Sequence, residues 1–466
     1  MKLLSFSIVS TVITVLFCYL GLDYLFITSF GIGFSVYIFL EFIDKLGKAV
    51  PLKEFITLIA SFQWIIGAKI GYTIGKTHYK YYMYVEEEVY MIYVVPGVFL
   101  FYLGLQVFRT DFRIKSVIEL LRNNFKVSIG LARVLLIIGL LSFIISKNMN
   151  IPAAAFILYL ANLILYVALI HFIVLYPKRK WWIFLVSLSF FFFFSLGSGL
   201  FHDLIITASF LIFFLFSAQT SLHQKLSVLM LGFMAMYVIQ LVKGDYRQII
   251  WESNKNANPI EAFISVLEAE FAPASPVVNT VQLNQNAKLE EQTNINTRLN
   301  QGWIISKIMD NVPENQEFLK GETIMESLEA AILPRFLFPN KKGANDAIVN
   351  FRKITGIDIT AGTSMGLSTI GEFYANYGQF GGWVAMFIYG VFLALFIKIL
   401  KVAVGGGSPL ILLWLVFFFF QVVKAETDFI KIFNHLIKSF LFFIAFQFLM
   451  SLMGYDLLLK TYLKDE

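Results

Sequence analysis

The chain is poor in charged residues and nearly devoid of cysteine. Of its 466 residues, 15% are charged and 58% are hydrophobic, and the mean hydropathy is +0.73. A soluble domain has about 25% charged and about 45–50% apolar residues. This composition therefore excludes an ordinary soluble protein and indicates a chain that crosses a membrane repeatedly. Cys18 is the one cysteine, which excludes an intrachain disulfide and a cysteine metal site.

The chain also lacks motifs that mark several common enzyme and transporter classes. It contains no HExxH, GxxxxGK[ST] or GxGxxG pattern, the signatures of zinc metalloproteases, P-loop ATPases and Rossmann dinucleotide sites. We therefore expect no metal, no cofactor and no ATP-driven transport by this chain alone. The net charge of +6 lies mostly in short loops, where basic residues set membrane topology, so no nucleic-acid partner is expected.

Long apolar runs predict the transmembrane helices. A run of about 17–25 residues is long enough to cross the hydrocarbon core. The run at 203–218 is short, and only three residues separate the first two runs. We expect an all-α polytopic membrane protein with about twelve transmembrane helices and one large, mostly helical extracytoplasmic loop. The predicted spans are roughly 3–20, 24–42, 53–75, 90–108, 127–146, 151–176, 181–200, 203–218, 225–243, 380–400, 408–424 and 430–455.

The distribution of lysine and arginine predicts the direction of these spans. With twelve spans, one set of short loops holds 17 basic residues and the alternate set holds 5. Because the basic loops stay in the cytoplasm, both termini are expected there and the polar segment outside. The predicted organisation is an N-terminal bundle of about nine helices (1–242), a large periplasmic loop (243–378) and about three C-terminal helices (379–466).

The polar loop has uneven charge and helical patterning. It contains 12 Lys or Arg and 16 Asp or Glu, yet between residues 335 and 353 only Asp346 is acidic. Apolar residues at helical spacing predict helices at 259–271 and 322–333. Such helices would lie on the membrane surface or pack over the helix bundle. The apolar face of the second helix contains Ile324, Met325, Leu328, Ala331 and Ile332.

Several polar residues stand where a predicted span meets the outer surface. Arg247 follows the ninth span, where an interfacial anchor is the competing interpretation. Glu372 precedes the tenth span, and a carboxylate entering a membrane helix is costly unless it is paired or functional. His435 and Lys438 lie one turn apart in the twelfth span, with ordinary interfacial polarity as the alternative. Lys69 lies inside the third span, and the sequence does not indicate its partner.

Three strings in and after the loop resemble a known family. They are RLNQGWIISKIMDNVP, FLKGETIMESLEAAILPRFLFPNKK and GTSMGLSTIGEFYANYGQFGG. Together they resemble the bacterial oligosaccharide repeat-unit polymerases, the Wzy-type polymerases of O-antigen and exopolysaccharide. The resemblance covers roughly residues 240–400 in sequence and the whole chain in hydropathy.

The resemblance implies a fold, a reaction and a set of partners. The fold would be a GT-C-like helical bundle in the bacterial inner membrane. The reaction would be a metal-independent, inverting transfer of a growing glycan from undecaprenyl diphosphate onto a single lipid-linked repeat unit. The implied partners are the lipid-linked donor and acceptor and the membrane lipids, with a chain-length regulator and a flippase as further candidates.

The same resemblance suggests roles for particular residues. Fixed cations would stabilise the charge that develops on the leaving diphosphate, and Glu372 or His435 would accept the proton of the acceptor hydroxyl. The Rx10G repeat of some members is not evident, because the position that would complete it after Arg352 is Thr363. The candidate diphosphate-binding residues are Arg247, Arg298, Arg335, Lys341 and Lys342.

Two other functions remain open from the sequence. An O-antigen ligase would share the fold and the lipid-diphosphate donor but would transfer finished glycan to another acceptor. A flippase or other transporter would place its polar groups near the bilayer midplane and would show internal repeats. In this chain the polar groups gather near one predicted face and no repeat is visible, which favours the enzymes.

Overall fold

The described residues of the chain fold mainly into helices. The structure is a computed structural model that describes residues 2–76, 81–110, 113–149, 154–199, 201–252, 258–271, 300–333, 347–358 and 365–460. These residues form helices and turns, without a β-strand. The all-α class predicted from the sequence is therefore confirmed.

The helices follow the apolar runs closely. In the first part of the chain they are α1 (Lys2–Leu16), α2 (Phe26–Lys45), α3 (Leu52–Ile74), α4 (Glu87–Gln106), α5 (Ile114–Asn123), α6 (Phe125–Asn148), α7 (Ala155–Leu175), α8 (Lys180–Ser198), α9 (His202–Leu215), α10 (Leu222–Glu252) and α11 (Pro259–Phe271). They continue with α12 (Gly302–Asn311), α13 (Glu322–Ile332), α14 (Ala347–Thr355), α15 (Thr369–Ile399), α16 (Pro409–Phe419) and α17 (Phe429–Leu452).

Several of these helices are long and apolar enough to cross a membrane. Within the described ranges there are nine, namely α2, α3, α4, α6, α7, α8, α10, α15 and α17. Shorter apolar helices cover Phe6–Gly21, His202–Leu215 and Pro409–Phe419. Each of the twelve predicted spans overlaps one of these helices. The chain is thus a multi-pass α-helical membrane protein, while the number twelve and the direction of the spans stay predictions.

The contacts divide the chain into two compact units. The first unit contains Met1–Lys45, Pro51–Arg113 and Asn296–Glu466, and the second contains Leu46–Val50 and Ile114–Ile295. The polar segment is therefore shared between the units. Its α12, α13 and α14 belong to the first unit, whereas α11 belongs to the second.

Glycines allow two helices of the first unit to touch along their backbones. A Cβ atom at Gly104 of α4 would lie 2.9 Å from the Val391 nitrogen and 3.0 Å from the Gly390 Cα of α15. Small residues at such a crossing are typical of membrane helix pairs. The Tyr93 hydroxyl of α4 also donates to the Ile370 carbonyl at 2.7 Å. This packing fixes the start of α15.

In the structure, Lys69 forms an ion pair with Glu87. Its Nζ lies 2.8 Å from a carboxylate oxygen of Glu87 and 4.0 Å from the centre of the Tyr24 ring. The Thr28 hydroxyl donates to the same carboxylate at 2.8 Å. Because the two side chains of the ion pair are only 15% and 19% exposed, water cannot readily replace either partner.

We expect a Lys69→Met variant to be strongly destabilised. Leaving Glu87 without its cation should cost about 3 kcal/mol, the lower part of the range for breaking a buried pair. The double variant Lys69→Met/Glu87→Leu should recover most of that loss. Thermal unfolding in detergent measures both. Lys115→Met is the control, since its pair with Glu119 is exposed and should contribute less than about 1 kcal/mol. Equal effects at Lys69 and Lys115 would contradict the expectation.

The described part of the polar segment in the first unit has its own apolar core. Tyr81, Met83 and Tyr84, from the connection between α3 and α4, pack against this core. The segment is therefore folded onto the helices rather than extended from them. The buried core residues are Trp303, Ile304, Ile308, Val312, Leu319, Phe351, Ile354, Leu367 and Ala375.

The helix predicted at 322–333 is confirmed as α13, and part of its apolar face is exposed. Met325 and Ile332 are 58% and 63% exposed. The reason is that α13 packs along α17, where small side chains let two helices approach closely. The helix predicted at 259–271 is confirmed as α11. The buried residues of α13 are Thr323, Ser327, Ala330 and Ala331.

Candidate functional site

The candidate site lies where the polar segment ends and α15 begins. α15 bends at Gly378, which has φ +67° and ψ −165°. Glycine adopts this positive φ without the steric cost that other residues meet. The residues before the bend form a short helical stretch, and the apolar part of α15 follows it. Glu372 and Asn376 both lie on this short stretch.

Glu372 is the buried centre of the site. The residue is 2% exposed, and its Oε2 accepts a hydrogen bond from the Phe429 N–H at 2.9 Å. The Thr323 hydroxyl is a second hydrogen-bond partner of this carboxylate. Since Phe429 begins α17 and Thr323 lies in the first turn of α13, the single carboxylate joins three helices. Its protein donors offset the cost of burying a charge.

Asn376 holds the Thr323 hydroxyl in place. Its Nδ2 donates to the Thr323 Oγ1 at 2.7 Å and to the Glu372 carbonyl at 2.8 Å. Its Oδ1 accepts from the Gly321 N–H at 3.0 Å. Because Thr323 accepts from Asn376, its own hydroxyl proton is directed to another acceptor, and Glu372 is that acceptor. The amide therefore orients the hydroxyl that supports Glu372.

Asp428 places a second carboxylate beside Glu372. Its Oδ1 accepts from the Leu367 N–H at 2.6 Å, and its Oδ2 lies 2.9 Å from the Lys431 Nζ. The Asp428 side chain is 5% exposed. Asp428 and, more weakly, Glu326 repel the negative charge of Glu372 electrostatically. The site is thus a buried acidic cluster with Lys431 as a neighbouring cation.

Ser368 contributes backbone strain immediately before the helix. It has φ +62° and is fully buried, and its carbonyl accepts the Glu372 N–H at 2.9 Å. Within the described ranges its Oγ has no hydrogen-bond partner. A non-glycine residue in this region costs about 1–3 kcal/mol, and such residues cluster at functional sites. The strained residue is therefore hydrogen-bonded to the backbone of Glu372, the residue with the buried carboxylate.

His435 lies further along α17. It is 1% exposed, and its Nε2 is 2.9 Å from the Phe417 carbonyl. It follows Phe429 by six residues, which corresponds to about 9 Å along a helix axis. The ring therefore contacts α16, whereas Glu372 contacts the first residue of α17. The predicted catalytic role of His435 stays a prediction.

Among the predicted diphosphate-binding residues, the structure describes Arg247. Arg247 belongs to the second unit, where its Nε donates to the Gly199 carbonyl at 2.8 Å. The adjacent Tyr246 hydroxyl donates to the Leu196 carbonyl at 2.6 Å. Both bonds tie α10 to the end of α8. The other four candidates, Arg298, Arg335, Lys341 and Lys342, lie outside the described residues.

An aromatic and cationic cluster in the first unit was not predicted from the sequence. The Tyr82 and Tyr84 rings stack with their centres 4.1 Å apart. Lys76 Nζ lies 4.3 Å from the Tyr82 ring centre, and Lys307 Nζ lies 4.6 Å from that of Tyr84. Burial is the main cause that raises the pKa of Tyr84 to about 12, and electrostatic repulsion by Tyr82 is the next. Tyr84 therefore stays neutral at physiological pH, and the rings hold two ammonium groups.

The donor set of the site does not suggest a metal ion. Among the residues that the structure describes, no three His, Cys, Asp or Glu side chains are grouped so as to hold one. The cluster around Glu372 offers instead two carboxylates, a hydroxyl, an amide and an ammonium group. Such a set can accept a proton from a hydroxyl and can bind sugar hydroxyls.

The chain matches one protein family over most of its length. The sequence profile described as Domain of unknown function (DUF8712) matches residues 62–458. This range contains Glu372, Asn376, Thr323 and Asp428. No curated protein and no solved structure matches the chain.

Proposed function

The chain belongs to the family of domain of unknown function DUF8712, and we propose that it is a membrane glycosyltransferase that polymerises lipid-linked oligosaccharide repeat units. Its donor and acceptor would both be glycans on undecaprenyl diphosphate. The reaction would take place at the periplasmic face of a bacterial inner membrane, with both termini of the chain in the cytoplasm.

One observation carries the proposal. The three strings that resemble the polymerases lie within residues 298–382, and their described parts include α12, α13 and the start of α15. α12 and α13 both pack against α15, and α13 also packs against α17. The Glu372 carboxylate lies at this meeting point and is held by residues of α13 and α17. A shared structural centre supports treating the strings as parts of one site.

The proposed reaction is a single displacement. The oxygen of an acceptor sugar hydroxyl forms a bond to the anomeric carbon of the donor. The bond from that carbon to the diphosphate oxygen breaks, and undecaprenyl diphosphate leaves with the bonding electrons. The hydroxyl proton passes to the Glu372 carboxylate. A positioned base of this kind is worth about 100- to 10,000-fold in rate.

Charge on the leaving diphosphate calls for fixed cations. We assign this role to Arg298, Arg335, Lys341 and Lys342, because arginine and lysine bind diphosphate oxygens through charge-assisted hydrogen bonds. One such preorganised donor typically contributes about 3–4 kcal/mol in the transition state.

Because Glu372 is buried, the proposed mechanism requires a local opening of the site. Only 2% of the residue is exposed, so α13 and α15 must separate locally for an acceptor hydroxyl to reach the carboxylate. Closing the site afterwards would exclude water and protect the donor from hydrolysis. The bend at Gly378 provides a place where the start of α15 can move apart from its apolar part.

Cells that lack this chain test the proposal against its alternatives. Loss of a polymerase should leave undecaprenyl diphosphate carrying a single repeat unit on the periplasmic side. Loss of a ligase would instead leave long polymer on the lipid, and loss of a flippase would leave single repeat units facing the cytoplasm. Either of the last two results, measured by mass spectrometry of extracted lipids and by periplasmic labelling, would overturn the proposal.

A further inference from the structure

A cleft lies in the second unit at the ends of three apolar helices. α8 begins at Lys180, α9 ends at Leu215 and α10 begins at Leu222. The cleft between these ends has a volume of about 370 Å³. That volume is within the range of small-molecule sites, about 300–1,000 Å³. Because the ends of membrane helices lie near the bilayer surface, the cleft is placed at the level of lipid head groups.

The polar part of the cleft lining favours an anion. It contains the Lys180 ammonium group, the His223 imidazole and the hydroxyls of Thr220 and Ser227, and none of its lining residues is acidic. Two helices, α8 and α10, begin at the cleft, and the start of a helix carries partial positive charge. The start of α10 is well defined, since the Ser221 N–H donates to the Gln224 Oε1 and the Gln224 N–H donates to the Ser221 Oγ.

The rest of the cleft lining is mainly apolar. It includes Trp181, Leu215, Phe216 and Val228. The Trp181 and Phe216 rings meet edge to face with their centres 6.2 Å apart, and Trp181 is 42% exposed. Tryptophan at this level of a membrane protein is typical of the water–lipid interface. The cleft therefore offers a cation and hydroxyls next to a hydrocarbon surface.

We propose that this cleft binds an anionic glycerophospholipid. Lys180, Thr220 and Ser227 contact its phosphate, and its acyl chains lie against Trp181 and Val228. Basic pockets between membrane helices bind anionic lipid head groups in other proteins. A free phosphate ion would use only the polar lining residues, whereas a phospholipid uses the apolar ones as well. The site belongs to the second unit and does not depend on the proposed glycosyl transfer.

Native mass spectrometry of the purified full-length protein tests this site. The probes are phosphatidylglycerol, phosphatidylcholine with the same acyl chains, and inorganic phosphate. The unchanged protein should prefer phosphatidylglycerol. Lys180→Gln should weaken that binding by about tenfold, the effect of one charge-assisted contact. Lys178→Gln is the matched control, because Lys178 is exposed in the same loop and does not line the cleft.

A second variant separates the shape of the cleft from its charge. Ser227→Trp fills the cleft without changing the net charge and should abolish the preference for phosphatidylglycerol. Equal losses in Lys180→Gln and Lys178→Gln would show diffuse attraction and overturn the proposal. It would also be overturned by equal binding of the two lipids, by unchanged binding in Ser227→Trp, or by inorganic phosphate displacing phosphatidylglycerol from the cleft.

Discussion

A Glu372→Gln variant is expected to insert and fold normally and to make no long polysaccharide. Glutamine keeps one oxygen that can accept from the Phe429 N–H, and its amide nitrogen can donate to the Thr323 hydroxyl oxygen. It has nearly the same shape as glutamate but cannot accept the proton of an acceptor hydroxyl. The rate of chain elongation should therefore fall by at least about 100-fold, measured as polysaccharide length in cells that carry only the variant.

The activity of the folded glutamine variant distinguishes a catalytic role of Glu372 from a structural one. If Glu372 serves only to join α13, α15 and α17, the glutamine variant should stay active, because the joining hydrogen bonds remain possible. Glu329→Gln is the control, since Glu329 is an exposed carboxylate of the same site helix, α13. Normal polysaccharide length with Glu372→Gln at normal protein levels would exclude Glu372 as the base.

An Asn376→Leu variant is expected to lose both stability and polymer length. The substitution leaves the Gly321 N–H and the Thr323 hydroxyl without the partner that they have in the structure. A buried polar group left without a partner costs about 1–3 kcal/mol, so we expect a loss of about 3 kcal/mol in total. The thermal unfolding midpoint in detergent should fall more than in Glu372→Gln.

The effect on polymer length follows from the loss of an oriented hydroxyl. Without Asn376, the Thr323 hydroxyl can turn away from Glu372, and the carboxylate loses one of its supports. Elongation per folded molecule should therefore fall as well. Asn315→Leu is the control, because Asn315 is an exposed asparagine between α12 and α13. An Asn376→Leu protein with unchanged stability and unchanged polymer would show that this amide does not organise the site.

The membrane helices were predictable because each is a continuous apolar run, and the hydropathy of a run depends only on its own residues. Each of the twelve apolar runs overlaps a helix, although α15 begins at Thr369, well before the predicted start at 380. The early part of α15 contains Glu372 and several small or polar residues, which lower its hydropathy without preventing a helix. The spacing of Glu372 and Asn376, four residues apart, would have placed both on one helix face.

The surroundings of Glu372 were not predictable, since they depend on contacts between distant parts of the chain. Thr323 bonds to Asn376, which lies 53 residues later, and a hydroxyl in a glutamate-rich helix gives no local sign of that bond. The residues with which α13 packs on α17 were not predictable for a related reason. Hydropathy favours large apolar residues such as Met325 and Ile332, whereas close packing on α17 selects small ones. The ion pair between Lys69 and Glu87 was likewise not predictable, because only the fold brings the two residues together.

The most direct measurement of the central claim uses purified protein in liposomes. The protein is incubated with a lipid-linked repeat unit as the only substrate, and the lipid-linked products are separated by size. A polymerase centred on Glu372 should give a ladder of products that differ by one repeat unit, with release of undecaprenyl diphosphate at each step. The Glu372→Gln protein should give none. Folded wild-type protein that yields no product longer than one repeat unit would contradict the account.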